Sequence, residues 1–442
     1  MAQFDRKFMD NFAKKVVKVM GIGKKPNENG IKRAKKRFKW VKKILRKDRV
    51  SKKEIKKISG LNDEKIDMAI AELENPVYGP LLWKEGSRYK VKKGVGETVL
   101  ISLNPQYEEF SKRIADEVRK LGAHAKISNT KTDDVIRYYK YATKESCAEA
   151  PEPFMSLSAK TDVYIGCTTD SVNWKEKVER GKLRAGAPAA MLRRMLCQKY
   201  GQRWVLIGLP FKQVAKEYRV PYSKFSKVLF ESLRESFSQR TKNLVDFYAK
   251  KLSNKRVRIT ADDGTDLRLR CRRMLKDAGE LDPKDPTDKG LNLPTGEAFT
   301  APVENQTSGR IFFKRISPHG YGTIDNIWLE FEKGRLVGYK TSPKGMRIFK
   351  KLLDENTGGK LIAGELGIGC NRKAKFLNGF IIVDEKIFGS IHLAIGENVG
   401  YGGNNRSSLH FDMVKDMLSC EGRIWVGKKP VMDKGLPVGL RI

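Results

Sequence analysis

Gly389-Ser390-Ile391-His392-Leu393-Ala394-Ile395-Gly396 is followed, past a glycine-rich interval, by His410-Phe411-Asp412. Both stretches read as strands. Along an extended chain residues i and i+2 point to the same face, so the imidazole of His410 and the carboxylate of Asp412 can reach one site together. The chain holds only four histidines, and two of them stand 18 positions apart in this segment. Imidazole and carboxylate donors suit zinc, cobalt or manganese better than a thiolate site would.

Working outward, three glutamates in the same C-terminal region share this chemistry. Glu297 sits in Asn292-Leu293-Pro294-Thr295-Gly296-Glu297-Ala298-Phe299-Thr300-Ala301-Pro302, read as a loop stiffened by prolines. Glu365 lies in Ala363-Gly364-Glu365-Leu366-Gly367-Ile368-Gly369, where small neighbours permit close backbone approach. Glu385 belongs to a turn, Asp384-Glu385-Lys386, just ahead of the His392 strand. Singly, each has a bland reading as a solvated carboxylate or a structural imidazole. Together they place four carboxylates and two imidazoles in an apolar, glycine-rich domain, a set suited to two divalent ions. His124 and His319 look isolated.

The surrounding texture is strand-rich from about Asn254 onward. Arg256–Thr260 and Asp266–Arg270 flank Asp263-Gly264, and Ile327–Phe331 and Arg335–Tyr339 flank Lys333-Gly334; both are hairpin signals. Residues 255–442 are therefore expected to form a β-rich α+β metal-binding domain. Between 96 and 254 the pattern alternates apolar strands (Thr98–Ser102, Thr161–Cys167, Arg203–Gly208) with helices (Tyr107–Leu121, Ala187–Tyr200), predicting an α/β domain with a parallel sheet. Tyr222–Leu252 reads as one long, mostly helical segment.

Residues 1–95 read as a small helical, winged-helix-like module. A basic helix is expected over Ile31–Lys47, a capped one from Ser51-Lys52-Lys53-Glu54 to Gly60, and a third from Asn62 to Glu74. A hairpin then turns at Glu85-Gly86, and Gly94–Gly96 reads as a joint. The module carries 28 Lys and Arg against 11 Asp and Glu, within a chain whose net charge is +37. Such a balance favours association with polyanions, so nucleic acid is a candidate partner of residues 1–95. The third helix opposes that reading, with Asp63, Glu64, Asp67, Glu72 and Glu74 against Lys65 alone.

At 442 residues two or three domains are expected, and no apolar run approaches membrane-spanning length. The N-terminus lacks a secretory leader's apolar core. Six scattered cysteines form no Cys-x-x-Cys pair, which excludes a zinc ribbon and a dithiol redox site. The expectation is a cytoplasmic protein with reduced thiols. No P-loop, no dinucleotide-binding fingerprint and no Gly-x-Ser-x-Gly elbow occurs.

The segments Leu293–Pro302, Ala363–Asn371, Asp384–Gly396 and Ser407–Asp412 together resemble the four signatures of the aminopeptidase T / aminopeptidase S family of thermophilic metallo-aminopeptidases. The similarity runs from about residue 97 to the C-terminus and includes Leu209-Pro210 and Thr265-Asp266-Leu267. The resemblance implies a usually dimeric metalloenzyme that removes N-terminal residues from peptides at a paired divalent metal site. It assigns Glu297, Glu365, Glu385, His392, His410 and Asp412 as ligands. Two departures stand out. The family's tyrosine seven residues after the first histidine is Val399 here, with Tyr401 two positions on, and the Glu385-to-His392 spacing is two residues longer. Glu365 or Glu304 is the expected general base. The alternative is a nucleic-acid-binding protein acting through residues 1–95, with a catalytically silent C-terminal domain.

Overall fold

The computed structural model describes residues 5–22, 40–44, 46–47, 49–74, 82–91, 97–149, 161–199, 201–281, 289–318 and 320–440. The chain divides into two compact units. One is Met1–Thr169 with Trp174–Leu206 and Leu281–Gly290; the other is Asp170–Asn173 with Ile207–Glu280 and Leu291–Ile442. This division differs from the expected breaks at 95 and 254. The helical stretch after Ile207 goes with the β-rich part because Leu244, Val245, Tyr248 and Leu252 join the same buried cluster as its strands. No described helix is long and apolar enough to cross a membrane.

In the first unit, the strand Arg49–Ser51 and the hairpin Leu82–Glu85/Arg88–Val91 form a three-stranded antiparallel sheet beside the helices Lys52–Ser59 and Asp63–Glu74. Ser51 and Glu54 make the anticipated capping box, and Gly60 ends that helix in a left-handed conformation. The hairpin turns at Gly86-Ser87, one residue later than expected. Val50, Ile55, Ile66, Ile70, Leu73 and Leu82 form a small core. Asp63 and Asp67 of the acidic helix pair with Lys56 and Lys52 at 2.7 and 2.6 Å. Val41–Ile44 is helical; the rest of the basic helix expected over 31–47 falls mostly outside the described residues, as do the joint at 94–96 and His319.

Four strands of the α/β part lie in the order Arg203–Ile207, Val163–Cys167, Thr98–Ser102, His124–Ile127. Thr98–Ser102 runs parallel to both His124–Ile127 and Val163–Cys167. Helix Glu108–Lys120 buries Phe110, Ile114, Ala115 and Val118. A helix unforeseen from the sequence, Arg6–Val19, packs on it, with the Phe12 and Phe110 rings stacked at 5.4 Å. Buried Arg203 bridges the Glu97 carboxylate and the Met20 carbonyl.

The second unit holds two antiparallel sheets. An eight-stranded one contains the hairpins anticipated at Asp263-Gly264 and Lys333-Gly334. Tyr222–Leu252 is two helices, Tyr222–Glu235 and Gln239–Leu252, because Ser238 caps a fresh start by accepting from the Thr241 amide. The other sheet carries the candidate site. Its five strands run in the order Leu275–Asp277, Glu297–Thr300, Ala363–Gly369, Ser390–Gly396, His410–Asp416.

Register decides which residues meet in this sheet. Asp277 faces Glu297, Glu297 faces Gly369, Glu365 faces Ala394, Gly367 faces His392, Ala394 faces Asp412 and Gly396 faces His410. With a side-chain period of two, Asp277, Glu297, Glu365, His392, His410 and Asp412 all project from one face. The alternate residues Leu366, Ile368, Ile391, Leu393, Ile395, Phe411 and Met413 project from the other and pack into the core of the unit. Each such side chain contributes about 1.5–3 kcal/mol when fully buried, so the register is fixed by the core.

The glycines of the polar face make room for the large groups beside them. A Cβ added at Gly367 would lie 2.1 Å from the His392 ring, whereas one at Gly400 would meet nothing within 4 Å. Gly367→Ala is therefore expected to cost about 1–3 kcal/mol in denaturant-induced unfolding by overpacking against the imidazole. Gly400→Ala is expected to stay within about 0.5 kcal/mol of the parent. Equal costs for the two substitutions would contradict this packing.

Candidate metal centre

Glu365 is the middle of the site. Its Oε1 lies 3.3 Å from His392 Nε2 and its Oε2 lies 3.2 Å from His410 Nε2, so the two oxygens of one carboxylate face two different imidazoles. His392 Nε2 also stands 3.5 Å from Glu297 Oε2, and His410 Nε2 is 3.3 Å from Asp412 Oδ2. His410 Nδ1 lies 2.8 Å from the Glu397 carbonyl oxygen, to which it donates. That bond occupies Nδ1 and turns Nε2 toward the carboxylates, the arrangement of a metal-ligating histidine once Nε2 gives up its proton.

Donor atoms gather in three overlapping groups, each within 4.8 Å: Glu297–Glu365–His392, Glu365–His410–Asp412 and Glu385–His392–Asp412. All six residues named from the sequence are thus brought together. The strands supply five of them, and Glu385 enters from the C-terminal end of the short helix Ile381–Asp384. Glu297 opens a strand instead of lying in a loop. Pro294 and Pro302 lie outside the pairing of Glu297–Thr300 with Ala363–Gly369, so they do not interrupt that ladder. Asp384 turns elsewhere, accepting from the Leu377 and Gly379 amides at 2.7 and 2.8 Å.

The residues fit a cation. Glu297 Oε2, Asp412 Oδ1 and His392 Nδ1 are buried with no hydrogen-bond partner, an arrangement that is costly unless something completes it. Burial alone would lower both imidazoles, yet the carboxylates outweigh it. Glu365 and Glu297 hold His392 at about 9, and Asp412 and Glu365 hold His410 well above its ordinary value. Burial pushes the Glu297 carboxyl up to about 8 against the pull of Lys386. In a metal-free chain at neutral pH, protons therefore take up part of the excess negative charge.

Two members of the cluster were not singled out from the sequence. Lys386 is fully buried, with its ammonium 2.5 Å from Glu297 Oε1, 2.7 Å from Glu385 Oε1 and 3.6 Å from Asp277 Oδ2. The signal for Lys386 lay only in its adjacency to Glu385. Asp277 carried none before its pairing with Glu297 was visible.

Glu304 belongs to none of the three donor groups. Its oxygens accept from Arg272 Nη2 at 2.5 Å, the Asn404 amide at 2.7 Å and Asn398 Nδ2 at 3.2 Å. Burial raises its pKa, but Arg272 and the Asn404 amide prevail and hold it below the usual carboxylate value. Tyr401, in the turn Val399–Tyr401, stacks on His410 with centroids 4.9 Å apart and meets Phe299 edge-on at 5.8 Å. Burial, with Glu365 and Asp412 adding to it, raises the phenol far above its ordinary pKa, so it stays protonated. His124 is exposed on its strand and belongs to none of the donor groups.

Comparison with known proteins follows the same lines. Aminopeptidase AmpS of Bacillus subtilis (strain 168) is 28% identical over 197 residues, covering 39% of this chain and 47% of the relative. Aminopeptidase T of Thermus aquaticus is 27% identical over 172 residues, covering 34% and 42%. The chain thus spans about half the length of these curated relatives. Among solved structures, wild-type AmpT from Thermus thermophilus superposes with a TM-score of 0.62 at 17% identity, covering 78% of this chain and 94% of that one. The 2,5-dihydroxypyridine dioxygenase from Pseudomonas putida KT2440 gives a TM-score of 0.51 at 14% identity, with 78% and 92% coverage; at such identities the likeness is one of mixed α/β fold. The thermophilic metalloprotease (M29) family matches residues 77–435, starting earlier than the 97 read from the sequence, and the chain belongs to that family.

Proposed function

We propose that the protein is a metal-dependent aminopeptidase that removes N-terminal residues from peptides at a centre of two divalent ions, zinc, cobalt or manganese. The observation that carries this reading is Glu365, whose two oxygens face His392 and His410 separately. Glu297 and His392 would complete one ion's ligands, and His410 and Asp412 the other's, with Glu365 shared. Ions held there would polarise the scissile carbonyl and lower the pKa of a water between them.

The chain's own residues supply the rest. Glu365 is occupied on both oxygens, and Glu304 is tied to Arg272 and Asn404. Glu385 has one oxygen on Lys386 and a place in the His392–Asp412 group, so it is the carboxylate best placed to take a proton and return it to the leaving amine. Tyr401, protonated and stacked on His410, is positioned to donate to the developing oxyanion. An exopeptidase must also bind the free amine of a peptide terminus, which a spare metal position or a carboxylate of the centre would do. The family resemblance adds a homodimer. The nucleic-acid reading with a silent C-terminal domain is weaker, because a silent domain has no use for a buried carboxylate–imidazole cluster with unpartnered atoms.

Dialysis against a chelator is expected to abolish release of the first residue from an unblocked peptide, and added Zn²⁺, Co²⁺ or Mn²⁺ to restore it. The same peptide acetylated at its N-terminus should remain uncut, as followed by mass spectrometry. Activity that survives complete metal removal, or equal cleavage of the acetylated peptide, would reject the reading. Tyr401→Phe is expected to lower kcat about 100-fold with metal content unchanged, the loss typical of one oxyanion donor. Unaltered kcat would remove Tyr401 from the reaction.

A further inference from the structure

Lys386 takes no step in the reaction above, yet it is buried more completely than any ligand candidate except His392. An isolated ammonium in such a place is costly, and breaking a buried ion pair by removing one partner is more damaging than replacing both. Its three contacts account for its burial. They reach Glu297 Oε1 at 2.5 Å and Glu385 Oε1 at 2.7 Å, and Asp277 Oδ2 at 3.6 Å as a longer ion pair. The contact to Glu297 uses the oxygen turned away from the imidazoles, because it is Oε2 that faces His392 Nε2. Lys386 therefore grips Glu297 from behind and leaves the working oxygen open.

We propose that Lys386 is a resident cation of the centre: it holds Glu297, Glu385 and Asp277 in place in the metal-free chain and completes the charge balance once two divalent ions bind. This rests on the binuclear reading given under Proposed function. Asp277, Glu297, Glu365, Glu385 and Asp412 contribute five negative charges, and two divalent ions with one ammonium contribute five positive. The ammonium and the ions act on the same carboxylates, so their contributions are anticooperative. The potential at Lys386 is most negative when the ions are absent, and its charge then matters most. Lys386 is a positioning residue, and a purely steric role would show no such dependence on metal.

The test is thermal unfolding of the full-length chain, chelator-treated and Zn²⁺-saturated, for the parent, Lys386→Met and the double variant Asp277→Asn/Lys386→Met. Metal-free Lys386→Met is expected to melt about 10 °C below the parent. Saturating Zn²⁺ should close more than half of that gap, so the variant gains more from metal than the parent does. The double variant, which removes a negative charge with the positive one, should recover much of the metal-free loss; it also carries the test if Lys386→Met does not fold alone. Equal losses with and without Zn²⁺, or no recovery in the double variant, would make Lys386 a packing residue and overturn the proposal. Elemental analysis of the parent separates the two readings. A parent without bound metal sinks the enzyme and this inference together, whereas two ions per chain with a metal-independent Lys386→Met defect sinks the inference alone.

Discussion

The side-chain alternation of one antiparallel sheet is the constraint on which the centre depends. Leu366, Ile368, Leu393, Ile395 and Phe411 must face the core, and that requirement alone sends Glu365, His392, His410 and Asp412 to the opposite face. A slip of one residue between Ala363–Gly369 and Ser390–Gly396 would bury Glu365 among leucines and expose the apolar set. The free energy that orders the donors is thus hydrophobic, and it is contributed by residues that never touch a ligand. Gly367 serves the same end at close range, because the His392 ring fills the volume that its missing side chain leaves.

Much of this was legible in the residues. The i, i+2 spacing of His410 and Asp412 holds in the strand His410–Asp416, and both glycine-marked hairpins of the eight-stranded sheet formed where Asp263-Gly264 and Lys333-Gly334 placed them. Local signals sufficed there because turn chemistry and alternation are local. What failed was non-local. Glu297 looked like a loop residue because its prolines are visible in the sequence while its pairing with Gly369 is not. Lys386 drew no role of its own because nothing nearby reveals that Asp277 arrives from more than a hundred residues upstream. The helix Arg6–Val19 finds its partner, Phe110, equally far along the chain.

The fold by itself does not select a chemistry. AmpT from Thermus thermophilus and a protein named as a dioxygenase superpose on this chain over the same 78% of its length. Function has to be argued from the side chains that a shared scaffold presents. Here those are a carboxylate shared between two imidazoles and a buried lysine among acids.

The family match begins at residue 77, yet the first unit draws on residues well before it. Phe12, Val16 and Met20 are buried, Phe12 lies flat on Phe110, and the carbonyl of Met20 receives the guanidinium of Arg203. Trimming the chain to the start of the family match would strip the cover from an aromatic surface and leave a sequestered arginine short of an acceptor. An exposed face of that kind is the usual origin of sticky, poorly soluble truncations.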